Sequence, residues 1–441
     1  MFSQAMLGLA AAIVVITVVG VYLALRREDA QAALGDVNDQ QGLPPSLHPV
    51  IDLEVCIGSA GCIDVCPESL LRAKDGVTFI HSVGDCVGHG RCEVACPVDA
   101  IKLVFGSAQR GVDLPTLRKG YESNVDGMFI AGELGGMGLI RNAMTQGLKA
   151  IESVPRALAR PGVPQLDDPD LVDVVIVGAG PAGLAAAVNC VVKELRFKLL
   201  DQYTVGGSVA HYPRRKLVFT EQVELPLVGK VGKRGDVRKE ELMSDFERII
   251  EAAPLSVLEG RRVVGIEGQV GDFRVRCEGP EGEELHRGRT VVLAIGRRGT
   301  PRTLGVPGEE QSHVVYRLID AEQYRGRRVL CVGGGDSAIE AAVALAQVAG
   351  CEAHLSYRRD DFSRAKSKNQ EQLQRMVTLG QLTLHLQTEV REIRAQEVVL
   401  EGPAGLENLG IDDVIVNVGG VLPTPFLESI GVEIQTKFGE A

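Results

Sequence analysis

Six of the ten cysteines form an internal repeat with the spacing C-x5-C-x3-C-P, and its second copy begins thirty residues after the first. The two copies are Cys56, Cys62 and Cys66, and Cys86, Cys92 and Cys96. Thiolates at such spacing bind iron–sulfur clusters or zinc, but zinc ribbons pair cysteines in C-x2-C steps that this repeat lacks. The spacing therefore favours iron–sulfur clusters, with a zinc site or a metal-free remnant as the alternatives.

The repeat resembles the bacterial two-cluster ferredoxin, whose run C-x2-C-x2-C-x3-C-P sends its fourth cysteine to the other cluster. The resemblance covers about residues 47–106, but Ser59 and His89 stand where the family has its second cysteine. Each cluster is then left with three thiolates and one substituted corner, which Ser59, His89 or water could bind or which could lack iron. Both 4Fe-4S and 3Fe-4S clusters therefore stay open. The ligand sets that the resemblance implies are Cys56, Cys62 and Cys96 for one cluster, and Cys66, Cys86 and Cys92, with His89 as a candidate, for the other.

A glycine-rich turn follows a short apolar run near the middle of the chain. Residues 173–177 are an acid and four β-branched residues, which is typical of a buried parallel strand. The G-x-G-x-x-G pattern comes next and opens a helix-forming run, so that backbone N–H groups can bind a pyrophosphate. About 20 residues on, Asp201 is placed to accept from a ribose hydroxyl. The residues predicted here to bind a dinucleotide are Gly178, Gly180, Pro181, Ala182, Gly183, Asp201 and Gln202.

A second glycine-rich turn follows residues 328–332 and reads G-x-G-x-x-A, with Ala338 in the third position. No acid follows at the usual distance, and residues 356–359 read Ser-Tyr-Arg-Arg instead. Adjacent arginines at a strand end suit the 2′-phosphate of NADP, and a solvated basic turn is the alternative. The second predicted set is Gly333, Gly335, Asp336, Ser337, Tyr357, Arg358 and Arg359.

Together the two turns resemble the thioredoxin-reductase-like flavoproteins, in which the first fold binds FAD and the second binds NADPH, with NADH as the other option. The stretches that match are residues 206–213, 294–296, 304–308, 358–360 and 419–423. The C-x2-C pair of thioredoxin reductases is missing, since residues 316–320 stand in its place. The closer resemblance is therefore to ferredoxin–NADP reductases of this fold and to bacillithiol reductases, which lack that pair. The resemblance adds Gly207 and Ser208 to the predicted FAD site. Tyr212 is a candidate for lining the flavin, with a tyrosine that only packs in the fold as the alternative.

The second FAD segment of this family normally ends the chain, but here it lies upstream of the first fold, in residues 124–143. We expect a circularly permuted flavoprotein in which residues 156–170 are the joining linker, because the termini of a domain commonly lie close together. An unrelated hinge that mimics the motif is the alternative. The permutation predicts that Ala441 lies near residues 106–112. The FAD contacts that it implies are Gly132, Glu133 (where the family has aspartate), Asn142 and Ala143.

The N-terminal region predicts a membrane anchor. Residues 5–25 carry no charge and would span about 30 Å as a helix, the thickness of a bilayer's hydrocarbon core. Arg26 and Arg27 follow, and no basic residue precedes the run, so the remaining chain is expected in the cytoplasm. A cleaved signal peptide is the alternative, although a basic n-region is missing. We therefore predict a single-pass protein of the cell membrane.

The length and the net charge of the chain limit the number of domains and the kinds of partner that it can have. A chain of 441 residues can bury two or three cores, and a net charge of −11 without a basic block argues against a nucleic-acid partner. The predicted class is α/β, with two Rossmann-like domains, a small α+β ferredoxin-like domain and one transmembrane helix. The predicted boundaries are 1–27 for the anchor, 28–46 for a linker, 47–106 for the ferredoxin-like domain, 107–155 for the permuted FAD segment, 156–170 for a linker, 171–298 for the FAD domain, 299–410 for the NAD(P) domain and 411–441 for a return to the FAD domain.

These modules predict a membrane-anchored oxidoreductase that uses NADPH, FAD and two iron–sulfur clusters. Its electron acceptor or donor is unknown and could be a ferredoxin, a quinone or another redox protein. Hydride transfer requires no general acid or base, so no catalytic side chain is predicted. The alternatives are a low-molecular-weight disulfide reductase and a redox sensor without turnover, and the resemblance makes a homodimer one option. The four cysteines outside the repeat are expected to be buried thiols: Cys190, Cys277, Cys331 and Cys351.

Overall fold

The computed structural model describes residues 47–439 apart from residues 75, 82, 107–110, 137, 165–167 and 234. The predicted membrane anchor and the linker after it, residues 1–46, lie outside the described residues. Within the described part of the chain, no helix is both long and apolar enough to cross a bilayer. The chain forms two compact units. The first contains the residues up to Val112 together with those from Lys437 on, and the second is Asp113–Thr436.

The first unit contains two short helices and two antiparallel strand pairs. Its elements are β1 (Leu47–Ile51), α1 (Gly61–Asp64), β2 (Leu71–Lys74), β3 (Val77–Ile80), α2 (Arg91–Val94) and β4 (Ile101–Phe105). β1 pairs with β4, and β2 pairs with β3. The two copies of the cysteine repeat take the same form, because α1 carries Cys62 and α2 carries Cys92. The small buried core consists of Cys62, Leu71, Ile80 and Ile101.

The first half of the second unit is a seven-stranded sheet with helices packed on it. The strands from Val112 to Leu293 are β5 (Val112–Pro115), β6 (Met128–Ile130), β7 (Leu171–Val177), β8 (Phe197–Leu200), β9 (Leu217–Thr220), β10 (Val223–Leu225), β11 (Gly229–Val231), β12 (Gly235–Arg238), β13 (Val257–Leu258), β14 (Arg262–Gln269), β15 (Asp272–Gly279) and β16 (Gly282–Leu293). The helices are α3 (Ile140–Leu158), α4 (Pro181–Val192) and α5 (Lys239–Ala252). The sheet order is β13-β8-β7-β16-β15-β14, and β6 also pairs with β16. β6, β7, β8 and β13 run parallel to their neighbours, whereas β14, β15 and β16 form an antiparallel meander.

The second half of that unit is a parallel sheet with the order β18-β25-β19-β20-β21, beside a three-stranded antiparallel sheet, β22-β23-β24. Its strands are β17 (Thr300–Pro301), β18 (Val314–Val315), β19 (Arg328–Val332), β20 (Glu352–Tyr357), β21 (Leu382–Leu386), β22 (Glu389–Ile393), β23 (Glu397–Gly402), β24 (Gly405–Gly410), β25 (Asp413–Val416), β26 (Gly420–Val421) and β27 (Ile434–Lys437). Its helices are α6 (Asp336–Ala346), α7 (Ser367–Thr378) and α8 (Thr424–Ser429). A strand, a glycine turn and a helix thus occur twice, as β7 to α4 and as β19 to α6, which confirms the prediction of two α/β dinucleotide folds.

The segment predicted to be out of order belongs to the first sheet. β6 runs parallel to β16 with Met128 opposite Val291, and α3 packs against α4. At the other end of the chain, β27 pairs with β5, and the Gly439 N–H donates to the Phe105 carbonyl over 2.8 Å. Ala441 itself lies outside the described residues, and the permuted order and the domain boundaries remain predictions.

Candidate functional site

Three cysteines drawn from both copies of the repeat line one pocket in the first unit. Cys66 comes from the first copy, Cys86 and Cys92 come from the second, and His89 lines the same pocket. Burial raises the pKa of the Cys92 thiol to about 11, and the nearby Cys86 and Cys66 act in the same direction. Crowded thiols of this kind suit a cationic centre, which binds them as thiolates and displaces their protons. The pocket assembles the side chains expected for one cluster, and their roles as ligands remain predictions.

For the other expected ligand set, Cys56, Cys62 and Cys96, the structure shows separate contacts of the individual cysteines. Cys62 is buried and donates to Thr78 Oγ1 over 3.6 Å, and the Ala100 N–H donates to Cys96 Sγ over 3.2 Å. Cys96 packs against the apolar cluster that contains Cys62, and Cys56 is half-buried. An N–H group directed at a cysteine sulfur is one of the features by which proteins tune iron–sulfur potentials. None of the six cysteines of the repeat forms a disulfide within the described residues, so their sulfurs can serve as cluster ligands.

The backbone at the first glycine turn is packed so closely that a side chain would clash. Gly178 has φ of 106°, and a Cβ there would lie 2.4 Å from the Ala294 carbonyl oxygen. A Cβ at Gly183 would lie 1.7 Å from the Gly178 oxygen, and one at Gly207 would lie 3.0 Å from Gly180 Cα. Gly180 precedes α4, whose first N–H groups are not capped by a side chain. The N–H groups at this helix start have no side-chain cap, and the glycines beside them let a ligand come close to the backbone. Both features fit the pyrophosphate of FAD.

Asp201 follows β8, and the backbone holds its carboxylate in place. Oδ2 accepts from the Ala179 N–H over 2.7 Å, and Oδ1 accepts from the Tyr203 N–H over 2.8 Å. Burial raises the pKa of Asp201, and these two hydrogen bonds act in the opposite direction. Each oxygen keeps a second lone pair, so the acid can still accept from a ribose hydroxyl while it ties β8 to the glycine turn. Gln202, beside it, is exposed.

The segment predicted to be out of order, residues 124–143 (the displaced segment), lies beside the first glycine turn. Gly132 has φ of 90°, and its N–H donates to Gln146 Oε1 over 2.8 Å. A Cβ at Gly132 would lie 3.1 Å from Ala182 Cβ, and a Cβ at Gly147 would lie 2.1 Å from the Ala182 carbonyl oxygen. Helices α3 and α4 therefore nearly touch beside the turn. The other predicted residues on the first turns of these helices are Pro181, Asn142 and Ala143.

A cavity of about 440 Å³ is lined by residues of both dinucleotide folds. Glu133, Ser208 and Tyr212, predicted for FAD, line it together with Ser337, predicted for NADPH. Burial raises the pKa of Glu133 and also that of Tyr212. The cavity therefore brings side chains of the two predicted cofactor sites together in one place.

One histidine and four cationic side chains that line this cavity were not named as site residues by the sequence analysis: His211, Lys216, Arg297, Arg298 and Arg317. Arg297 and Arg298 oppose the rise in the pKa of Glu133. Burial lowers the pKa of His211 to about 4, with Arg317 and Arg298 adding to the effect. The available signal was the position of Arg297 and Arg298, directly after the stretch 294–296 that closes the first fold.

The second glycine turn is shaped by an aromatic ring. Gly333 has φ of 141°, and a Cβ there would lie 2.2 Å from the Asn417 carbonyl oxygen. A Cβ at Gly334 would lie 2.1 Å from the ring of Tyr357, which stacks on Phe362 with ring centroids 5.1 Å apart. Tyr357 thus packs beneath the turn. Gly335 precedes α6, which has no side-chain cap, so this turn also fits a pyrophosphate.

Asp336 and the two arginines differ in what they contact. Asp336 Oδ1 accepts from the Lys366 N–H over 2.9 Å and from Asn369 Nδ2 over 2.7 Å, so this oxygen ties α6 to the start of α7. Arg358 and Arg359 follow β20, the first exposed and the second half-exposed. In the described part of the chain, neither guanidinium has an ion-pair partner. Both are therefore available to a phosphate.

Comparison with known proteins agrees with this geometry. Residues 175–439 match the family model described as pyridine nucleotide-disulphide oxidoreductase, and residues 48–97 match the 4Fe-4S dicluster domain. The chain is 31% identical over 272 residues to a ferredoxin–NADP reductase of Ignicoccus hospitalis, covering 60% of this chain and 83% of that protein. A ferredoxin–NADP reductase of Limosilactobacillus fermentum is 30% identical over 279 residues, covering 61% and 79%.

The fold is similar to that of the bacillithiol disulfide reductase of Bacillus cereus. The TM-score is 0.52 at 21% identity, with 60% of this chain and 82% of that one covered. The chain is an FAD-dependent oxidoreductase whose cofactors are FAD, NADPH and iron–sulfur clusters, and the glycine turns and repeat cysteines described above fit these groups. With more than half of its length matched, it belongs to the pyridine nucleotide-disulphide oxidoreductase family.

Proposed function

We propose that the protein moves electrons between NADPH and a one-electron redox partner, through FAD and the dicluster domain. The observation that carries the proposal is the pocket in which Cys66 of one repeat copy joins Cys86 and Cys92 of the other, in a chain that also holds two dinucleotide folds. When bound, FAD accepts a hydride as an electron pair and releases electrons singly, which is the chemistry that links NADPH to iron–sulfur clusters.

In this proposal, the residues of the protein bind the cofactors and hold them in position. The glycine turn before α4 and Asp201 hold FAD, and Gly132 and Glu133 approach it from the displaced segment. The turn before α6 holds the NADPH pyrophosphate, while Arg358 and Arg359 bind the 2′-phosphate. The repeat cysteines hold two clusters, and His89 stands at the substituted corner of the cluster on Cys66, Cys86 and Cys92.

The proposed partner is a ferredoxin or a protein of similar charge and potential, in either direction of flow. Relatives of about 30% identity are ferredoxin–NADP reductases. A low-molecular-weight disulfide is the second candidate acceptor, since a structural neighbour is a bacillithiol disulfide reductase. The thiols outside the repeat do not favour it, because Cys190, Cys277 and Cys331 are buried. Cys351, which was also expected to be buried, is half-buried, and burial raises the pKa of its thiol to about 11.

The test compares NADPH oxidation with three acceptors: a bacterial ferredoxin, bacillithiol disulfide, and a quinone that can oxidise flavin directly. We expect reduction of the ferredoxin, and expect Cys92→Ser to lower that rate more than tenfold while NADPH still bleaches the flavin. Cys351→Ser, outside the repeat, is the matched control and should leave the rate unchanged. Turnover with the disulfide alone would replace this proposal, and an unaffected Cys92→Ser would remove the cluster from the electron path.

We further propose that residues 5–25 anchor the protein in the cell membrane, with the enzyme on the cytoplasmic side. The support is the uncharged length of that segment and the two arginines that follow it. The full chain should sediment with membranes and be released by detergent but not by high salt. A chain that starts at residue 28 should stay in the supernatant, and equal partitioning of the two chains would refute the anchor.

A further inference from the structure

We propose a second metal site, separate from the cysteine repeat, in which Cys277, Glu284 and His286 bind a divalent cation of the zinc class. The three side chains lie on β15 and β16 of the first sheet in the second unit. They take no part in the proposed electron path. The failure of either proposal therefore leaves the other standing.

The strand pairing places the three residues together. In the antiparallel register of β15 and β16, Cys277 lies opposite Glu284, and His286 lies two residues further along β16. Side chains two residues apart point to the same face of a sheet, and directly opposed residues share that face. One ligand atom from each residue lies within 4.8 Å of the other two, which is the compactness that one ion requires.

The cluster is buried and contains a polar atom that has no hydrogen bond. Cys277 is 0% exposed and His286 is 8% exposed. His286 Nε2 lies 3.2 Å from Glu284 Oε2, yet this buried atom makes no hydrogen bond of acceptable geometry within the described residues. A buried polar atom without a well-formed hydrogen bond is unfavourable. A metal ion that bound this nitrogen would remove the penalty.

The donor set selects the kind of ion. Zinc binds thiolate, imidazole and carboxylate ligands, and a site with three protein ligands leaves the fourth position to water. Calcium and magnesium prefer oxygen ligands throughout, and the sulfur disfavours them. Arg261 Nη2 lies 3.2 Å from Glu284 Oε1 and orients the carboxylate, as the outer partners of metal ligands commonly do. The bound ion would tie β15 to β16 and stabilise the sheet.

Zinc binding to the purified protein, with FAD and clusters loaded, tests the site. We expect one tightly held zinc per chain in competition with a chelator, and X-ray absorption at the zinc edge should show one sulfur among nitrogen and oxygen ligands. Added zinc should also raise the melting temperature, because it binds the folded state. Three sulfur ligands would mean that zinc had entered the cysteine repeat, and would overturn the proposal, as would the absence of bound zinc.

Variants separate a metal site from a structural cluster. His286→Gln and Glu284→Gln should each weaken zinc binding by more than about 100-fold, and Arg261→Gln should weaken it by about 10–100-fold as an outer partner. Cys190→Ser removes another buried thiol of the same half and should leave zinc affinity unchanged. Unaltered zinc affinity in both ligand variants would refute the site, and FAD content verifies that each variant is folded.

Discussion

We propose that two side chains, Arg358 and Arg359, make the enzyme prefer NADPH to NADH. Arg358 and Arg359 follow β20 beside the glycine turn of the second fold, without an ion-pair partner in the described part of the chain. An arginine that forms no ion pair keeps its N–H donors for a phosphate, although the charge of Arg359 also lowers the pKa of Asp361. The extra phosphate of NADPH is the group that this arrangement would select.

We therefore predict that Arg358→Gln combined with Arg359→Gln raises the KM for NADPH by about 10–100-fold, the range expected for one or two lost charge-assisted hydrogen bonds. The KM for NADH should hardly change, so steady-state kinetics with both nucleotides measure the effect. Arg364→Gln replaces an exposed arginine nearby and serves as the control. An equal loss with NADPH and NADH would show that the arginines do not bind the 2′-phosphate.

The histidine His211 predicts how the stability of the folded protein depends on pH. Burial and neighbouring cations lower its pKa from 6.5 to about 4 in the folded state, so the unfolded chain binds more protons between these values. Stability should therefore fall as the pH drops from about 6.5 towards 4. Replacing His211 with Gln should recover about 1 kcal/mol at pH 5 after allowance for solvent screening, and change little at pH 8. Melting temperatures at the two pH values test this against His313→Gln, and the same pH profile in all three proteins would contradict it.

The displaced segment is coupled to the FAD fold through the contact of two helices. A Cβ at Gly147 on α3 would lie 2.1 Å from the Ala182 carbonyl oxygen on α4, and this oxygen belongs to backbone that cannot move freely. Two effects of Gly147→Ala therefore oppose each other. Helix propensity favours alanine by about 1 kcal/mol, while the clash requires the helices to separate.

We predict that the clash dominates and that Gly147→Ala destabilises the protein by about 1–3 kcal/mol and weakens FAD retention. Lys149→Ala lies on the exposed side of the same helix and should change stability by less than about 0.5 kcal/mol. Thermal unfolding and the FAD content of purified protein measure both effects. A stabilised Gly147→Ala would mean that α3 is not held against α4.

Local patterns predicted the elements better than the contacts between them. The turns at Gly178 and Gly333 each lie between a strand and a helix, because strand, glycines and helix are neighbours in sequence. Asp336 was expected to contact the nucleotide, whereas one carboxylate oxygen binds the start of α7, thirty residues on. Arg317 and Asn417 could not be assigned to the cavity, because only the folded sheet brings them beside residues of the first fold.

The order of segments along the chain is open to a direct experiment. β6 pairs with β16 although the two are more than 150 residues apart, and β27 pairs with β5. We predict that residues 171–441 followed by residues 111–158, the order usual for the family, fold and bind FAD. Residues 171–441 alone lack β6 and α3 and should lose FAD. Equal FAD binding by both chains would contradict the proposed permutation.

In the proposed function, electrons pass between NADPH and iron–sulfur clusters within one protein. The most direct measurement is an anaerobic titration of the purified protein with NADPH, followed by absorbance and low-temperature EPR. We predict that the flavin absorbance bleaches and that cluster signals change as NADPH is added, with the spectra distinguishing 3Fe-4S from 4Fe-4S clusters. Bleaching of the flavin with intact clusters that never change redox state would contradict the account.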